Sequence, residues 1–425
     1  MRALGLHPTR MVATGWRELR VSGTTTMAVG QLARLGTQAL YFVIAARVLG
    51  PAQFGVFATA VALAGVVAPF ATWGAGDMLL QNVSRSRQEF AAEWHAALCT
   101  IAKFGFVALL ITGAVAPWLL PAIPLVLIIP VAAAEFWFSG LIAAGANAFQ
   151  AVENFRLATR AWLVLSVARL GGAALLALVI DMPDAVAWGM VYVLSSGVAA
   201  LIISRAVNRQ LGAPRAGARG ANRLKGMEFA ISLSSASVSA EVGKMALSRF
   251  DRLEVTGTYA AADRIINVIS VPILAVLASS YPRLHRAGLL GMGATLRLCA
   301  PLLAMAMLYA AVAALIVFFC APLVEVVLGS GYQQAIAACQ ILCGLLLLRT
   351  LTFFAANCLT ATNHQRWRSI LQIGGACLSA ALAFTLVRTH GWLGAATAAL
   401  VSEAVLACLL WMLVAAVSAR ERHAH

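Results

Sequence analysis

Charge is scarce in this chain. Only 11% of its 425 residues are Asp, Glu, Lys or Arg, where soluble domains carry roughly 25%. Because 61% of the residues are hydrophobic, no water-soluble core could bury the apolar surface, and a soluble fold is excluded. Acids are scarcer still, 16 against 31 Lys+Arg, for a net charge of +15. In a soluble protein that balance would suggest nucleic acid. Here the bases sit mostly in short segments between apolar runs, so no nucleic acid partner is expected. No apolar run precedes the first long one, and the first 20 residues carry Arg2, Arg10, Arg17 and Arg20. That excludes a signal-peptide reading and leaves a basic tail before an uncleaved span. The eight cysteines lie singly in apolar stretches. Cys339 and Cys343 are one turn apart, without a His or a second Cys pair at zinc spacing, so they read as small hydrophobes and no metal site is expected. GxSxG, HExxH, Walker and paired-carboxylate patterns are all missing, and with them the common hydrolases, metalloproteases and nucleotide-driven pumps.

What the chain has is long apolar runs. A spanning helix needs about 20 such residues, because the hydrocarbon core is about 30 Å thick and each residue rises about 1.5 Å. Spans are predicted near 22–46, 52–74, 96–118, 121–145, 161–180, 186–206, 227–248, 258–280, 294–320, 333–357, 369–388 and 391–418. The fold expected is all-α, a polytopic membrane protein with about 12 transmembrane helices. The seventh span is the most polar, with Ser232, Ser234, Ser235, Ser237, Ser239, Glu241 and Lys244, and must face other helices or a wet cavity. Under this assignment, span ends included, 21 Lys and Arg residues fall on the side of the N-terminal tail. Only Arg47, Arg249, Arg252 and Arg388 fall on the other. By the positive-inside rule both termini are cytoplasmic, in a bacterial inner membrane. Trp73, Trp94, Trp118, Trp162, Trp188, Trp367 and Trp392 lie near span ends, where an interfacial belt would put them.

The longest break, 207–226, is rich in Gly, Ala and Arg and lacks periodicity. It divides the chain into a tail (1–21), a first lobe of six helices (22–206), a basic cytoplasmic linker (207–226), a second lobe (227–418) and a C-terminal tail (419–425). The lobes resemble each other. A shift of 202 positions places Arg47 on Arg249, Gly55 on Gly257, Phe57 on Tyr259, Ala58 on Ala260 and Ala60 on Ala262. Both turns lie on the same face, so the repeat is parallel, about an axis along the membrane normal. Two pseudo-symmetric lobes around a central cavity are the architecture expected.

The stretch RVLGPAQFGVFATA from Arg47 to Ala60, the run from Tyr259 to Leu284 with its Tyr281-Pro282-Arg283 turn, and HGWLGAATAALVSEAV from His390 to Val405 resemble the polysaccharide-repeat-unit flippases. These form the O-antigen and exopolysaccharide branch of the multidrug/oligosaccharidyl-lipid/polysaccharide exporter superfamily. The resemblance implies a cavity alternately open to the two sides of the membrane, no enzymatic activity and no cofactor. Its implied substrate is an undecaprenyl-pyrophosphate-linked oligosaccharide, with membrane lipids and the polysaccharide polymerase and export machinery as partners. The alternatives are a membrane-embedded glycan polymerase, ligase or glycosyltransferase, and a cation-coupled drug antiporter of the same superfamily.

Charges within the spans are expensive and each needs a reason. Gln31, Arg34, Gln38 and Tyr41 share one face of the first helix, with Arg34 near mid-span. Ser234, Ser237, Glu241, Lys244 and Ser248 form a similar stripe on its counterpart, the seventh helix, so the two stripes are expected to line one cavity. Substrate-binding candidates are therefore Arg34, Gln31, Gln38, Lys244, Arg264 and Arg349, a guanidinium fork being suited to phosphate. Against this stand a salt bridge of Arg34 with Glu135 or Asp77, neutralisation of Lys244 by Glu241, and snorkelling of Arg264 to the surface. Lys103 and Arg169 read as interfacial or structural. Proton or sodium coupling would fall to Glu135, Glu241, Asp263 or Glu403.

Overall fold

The computed structural model describes residues 9–216 and 223–423. Residues 1–8 of the expected tail, 217–222 of the linker and 424–425 lie outside them. Among the described residues there is no strand, and nine helices are long and apolar enough to cross a membrane. Two of these nine contain two spans each. Thr9–Thr72 breaks at Gly50 (φ 66°) and Gln365–His423 at Gly391 (φ 55°), left-handed conformations that glycine adopts without a Cβ penalty. That makes eleven. Arg223–Phe250, too polar for that tally, is the twelfth.

The spans are α1 (9–49), α2 (51–72), α3 (Phe90–Leu119), α4 (Leu125–Ala151), α5 (Phe155–Val179), α6 (Ala185–Leu211) and α7 (Arg223–Phe250). Then follow α8 (253–288, broken at Ser270), α9 (Met292–Cys320), α10 (333–361, broken at Cys343), α11 (365–390) and α12 (392–423). The chain runs to and fro between two faces. One carries the Gly50 and Gly391 turns and is called the glycine-turn face; the other carries the end of α6 and the start of α7 and is called the linker face.

Helices extend beyond the apolar runs. α1 is helical from Thr9, so the described part of the expected tail belongs to it. α12 continues to His423, and its Glu421 accepts a hydrogen bond from the Met292 backbone N–H at 2.6 Å. That carboxylate caps the N-terminus of α9, where the helix dipole favours an anion. Charge marks residues that leave the apolar layer, but it does not end a helix.

Outer helices meet lipid with large apolar side chains such as Leu178 (85% exposed) on α5 and Phe319 (74% exposed) on α9. Inner contacts are made by small residues, Ala45, Ala46, Ala60, Ala260, Ala261 and Ala262 among them, all nearly inaccessible. In lipid no hydrophobic force drives helices together, so close backbone approach and dispersion must do so. The tryptophan belt is only partly present. Trp118 and Trp367 are 83% and 57% exposed, whereas Trp94 and Trp188 are buried. Trp94 donates to Asn208 Oδ1 at 3.0 Å and Trp188 to the Tyr41 hydroxyl at 2.9 Å. Being near a span end does not say which way a side chain faces.

The internal repeat is visible in the packing. Gly55 on α2 and Gly257 on α8, equivalent by the 202-residue shift, cross each other at the glycine-turn face. A Cβ on Gly55 would lie 2.0 Å from the Leu253 carbonyl oxygen, and one on Gly257 1.9 Å from that of Pro51. The turns α4–α5 and α10–α11 also match. Glu153 and Asn363 both have φ 62°, and the next residue donates back in each, Asn154 to Phe149 and His364 to Leu359, both at 2.8 Å.

Because backbone lies on both sides of the Gly55–Gly257 crossing, neither glycine can be enlarged without moving a helix. Gly55→Val and Gly257→Val should each destabilise the purified protein by about 1–3 kcal/mol. Gly65→Ala, where nothing lies within 4 Å, should leave the thermal unfolding midpoint unchanged. Equal midpoints for all three variants would show that the lobes do not interlock here.

Candidate functional site

Between the lobes lies a cavity of about 370 Å³, walled by α1, α2, α4, α5 and α6 of one and α7 and α8 of the other. The α1 stripe faces it: Arg34, Gln38 and Tyr41 all line it, and Glu241, Lys244 and Arg264 answer from the second lobe. Gln31 is exposed and lines no cavity. Arg34 lies sixteen residues before Gly50, about 24 Å along the helix, so it sits toward the linker face rather than at mid-span. The end toward the glycine-turn face is aromatic, with Phe42, Phe54, Phe57 and Tyr192.

Most charges near the cavity are cancelled where they stand. In the first lobe Arg169 on α5 donates to Glu135 Oε1, Ser139 Oγ and Ser196 Oγ, each at 2.9 Å. Its guanidinium stands 3.9 Å from the centre of the Tyr192 ring, and the Tyr192 hydroxyl donates to the same Glu135 oxygen. Glu135 is presented by a π-helical segment, Ala134–Ser139. That widened turn is an insertion frequent at functional sites. In the second lobe Lys244 pairs with Glu241 at 2.5 Å and Asp263 at 3.2 Å. Asp263 also meets Arg349 at 3.7 Å, accepts from Asn267 at 3.0 Å, and Arg349 donates to Asn267.

Four bases line the cavity (Arg34, Arg169, Lys244, Arg264) against two acids (Glu135, Glu241). With Arg169 and Lys244 neutralised, Arg34 and Arg264 are left without a carboxylate partner among the described residues. Arg34 instead covers the ring of Trp162, 4.8 Å from its centroid.

Several expectations change accordingly. The salt-bridge reading of Arg34 fails, because Glu135 is taken by Arg169, and Asp77 accepts from Asn147 at 3.4 Å. Asp77 lies in the first turn of a short amphipathic helix, Ala75–Arg85, outside the spans, and burial holds its carboxyl above the usual range despite that hydrogen bond. Arg349 lies outside the central cavity and lines, with Asp263 and Tyr259, a small cleft inside the second lobe. Glu403 lines neither. Arg264, eleven residues into α8, lines the cavity and is exposed. Arg169, Trp162, Tyr192 and Ser139 were missed as cavity residues. The signal available was the spacing of Trp162, Ser166 and Arg169 on one face of α5. Among the described residues no group of three or more His, Cys, Asp or Glu converges.

These assignments separate stability from binding. Glu135 and Arg169 side chains are only 19% and 16% exposed, so removing one partner strands the other charge. Glu135→Ala or Arg169→Ala should cost about 3–5 kcal/mol and lower protein abundance, whereas Arg34→Ala should leave the thermal unfolding midpoint close to wild type. A midpoint that falls as far in Arg34→Ala would mean that Arg34 is a structural residue.

Comparison with known proteins agrees with this geometry. The fold is similar to an inward-facing multidrug resistance MATE family transporter of the MOP superfamily (16% identity, TM-score 0.67, 90% of this chain and 95% of that one). It is similar to an outward-facing MATE family transporter (15%, TM-score 0.61, 93% and 96%). It also matches the lipid II flippase MurJ in an inward closed conformation (12%, TM-score 0.65, 91% and 87%). At such identities the likeness is one of fold. No curated protein matches the sequence. The family model of polysaccharide biosynthesis proteins, Polysacc_synt, matches residues 21–287. Matched over more than half its length, the chain belongs to this polysaccharide biosynthesis family and is a multi-pass membrane protein with the fold of the MOP transporters.

Proposed function

We propose that the chain flips undecaprenyl-pyrophosphate-linked oligosaccharide units from the cytoplasmic to the periplasmic leaflet of a bacterial inner membrane, by alternating access. The observation that carries this reading is the pair of free arginines, Arg34 and Arg264, facing an inter-lobe cavity whose other lining charges are self-neutralised. A pyrophosphate is a compact polyanion, and guanidinium forks bind such groups with charge-assisted, often bidentate hydrogen bonds. The free pair would repel a cationic drug, and this disfavours the antiporter alternative.

Depth supports an orientation. Arg34 and Arg264 lie about 24 Å and 16 Å along their helices from the glycine-turn face, while Phe54 and Phe57 lie within about 11 Å of it. The pyrophosphate then sits toward the linker face, and the glycan extends against aromatic rings. With the basic linker face cytoplasmic by the positive-inside rule, this cavity receives substrate from the leaflet where it is made.

The test is the amount of lipid-linked oligosaccharide reaching the periplasmic leaflet, normalised to transporter level. Arg34→Ala and Arg264→Ala should each lower it by roughly tenfold or more, a charged hydrogen bond being worth about 1.5–3 kcal/mol. Arg34→Lys should recover part, because an ammonium keeps the charge and loses the fork. Normal flux in both alanine variants would remove the cavity from the mechanism.

A further inference from the structure

The arginines absent from the cavity also form a pattern. Arg47 closes α1 and Arg249 closes α7, equivalent positions of the repeat, and each reaches into the opposite lobe. Arg47 donates from Nε to the Val327 carbonyl at 2.5 Å and from Nη2 to that of Val326 at 2.6 Å. These carbonyls belong to the last turn of Leu323–Leu328, the short helix that follows α9. Arg249 donates from Nη1 to the Trp118 carbonyl at 2.7 Å, in the last turn of α3. α3 and α9 are repeat partners, so each arginine reaches a helix end in the corresponding region of the other lobe, although the Arg47 acceptors lie in the short helix after α9 rather than in α9 itself. Between the two lies the Gly55–Gly257 crossing, and beside Arg47 the Tyr332 hydroxyl donates to the Ala46 carbonyl at 2.9 Å.

We infer that Arg47 and Arg249 form a two-fold latch that holds the lobes together at the glycine-turn face and sets the balance between the two access states. Carbonyls of a last helical turn have no partner within their helix and carry the negative end of its dipole. A guanidinium satisfies and neutralises them together. All three acceptors are backbone atoms of the other lobe, so these hydrogen bonds exist only while the lobes touch here. Their free energy therefore belongs to one conformation alone, which is what shifts a two-state equilibrium. Because the acceptors are main-chain oxygens, no side-chain change on the receiving lobe can remove the latch. Only the arginines can. Arg47 contributes two of the hydrogen bonds and Arg249 one.

This inference rests on the lobe exchange in the proposed function, and amide hydrogen exchange of the full chain in lipid nanodiscs distinguishes the two. Wild type, R47A, R249A, the double alanine variant and R47K/R249K are compared. Each alanine change should speed exchange of the turns at 50–58 and 253–262 by roughly fivefold to tenfold. The double variant should approach the product, ~25–100-fold, with the lysine pair in between. Acceleration confined to the capped ends at 118–121 and 326–329, with both crossing turns unchanged, would reduce the arginines to local helix caps and overturn the latch. Protection at the linker face reports separately on lobe exchange. There, a Cβ on Gly226 of α7 would lie 2.5 Å from the Trp73 carbonyl at the end of α2. Faster exchange at the crossing without altered protection around residues 73 and 226 would keep the hold at the glycine-turn face but reject the rocking motion, and with it the role of the latch in balancing two access states.

Discussion

A charge in a lipid-embedded helix bundle must be met by an opposite charge, by hydrogen bonds or by water, and this structure follows from how that requirement is met. Glu135 and Arg169 answer each other within the first lobe, with Tyr192, Ser139 and Ser196 filling the remaining hydrogen-bonding positions. Lys244, Glu241, Asp263, Arg349 and Asn267 form a neutral set in the second. Each network ties helices within its own lobe, so each lobe can behave as one body. Only what lies between the lobes is left free to bind, and there the surplus is positive.

The inter-lobe seam is built on different chemistry. It has no ion pair at the glycine-turn face among the described residues; it has glycine backbones in contact and arginines on carbonyls. Such contacts are short, directional and individually modest, and they can be broken together without stranding a buried charge. Strong neutral clusters inside lobes and weak separable contacts between them suit a molecule that changes its open side.

Much of this was legible in the chain. Span number followed from apolar length, because lipid thickness leaves little choice, and the repeat followed from five matched positions around Arg47 and Arg249. The α1 stripe of Arg34, Gln38 and Tyr41 reached the cavity because helical periodicity assigns residues to faces. Pairing was not legible. Glu135 meets Arg169 rather than Arg34 because a π-helical segment and the approach of α5 decide its direction, and neither leaves a mark in residue spacing. Trp162 and Trp188 lie near span ends in the sequence yet point between helices, since depth and azimuth are independent. The helical start at Thr9 was hidden by the basic composition that orients the chain.

The account turns on whether a diphosphate is what the free arginines recognise. The most direct measurement is the affinity of the purified protein for a polyisoprenyl diphosphate against the uncharged polyisoprenyl alcohol of the same length, in wild type and in the Arg34→Ala/Arg264→Ala variant. The diphosphate should bind more tightly by at least roughly tenfold, about 1.4 kcal/mol, and the preference should vanish in the variant. Equal affinities in the wild type, or a preference that survives the loss of both arginines, would contradict it.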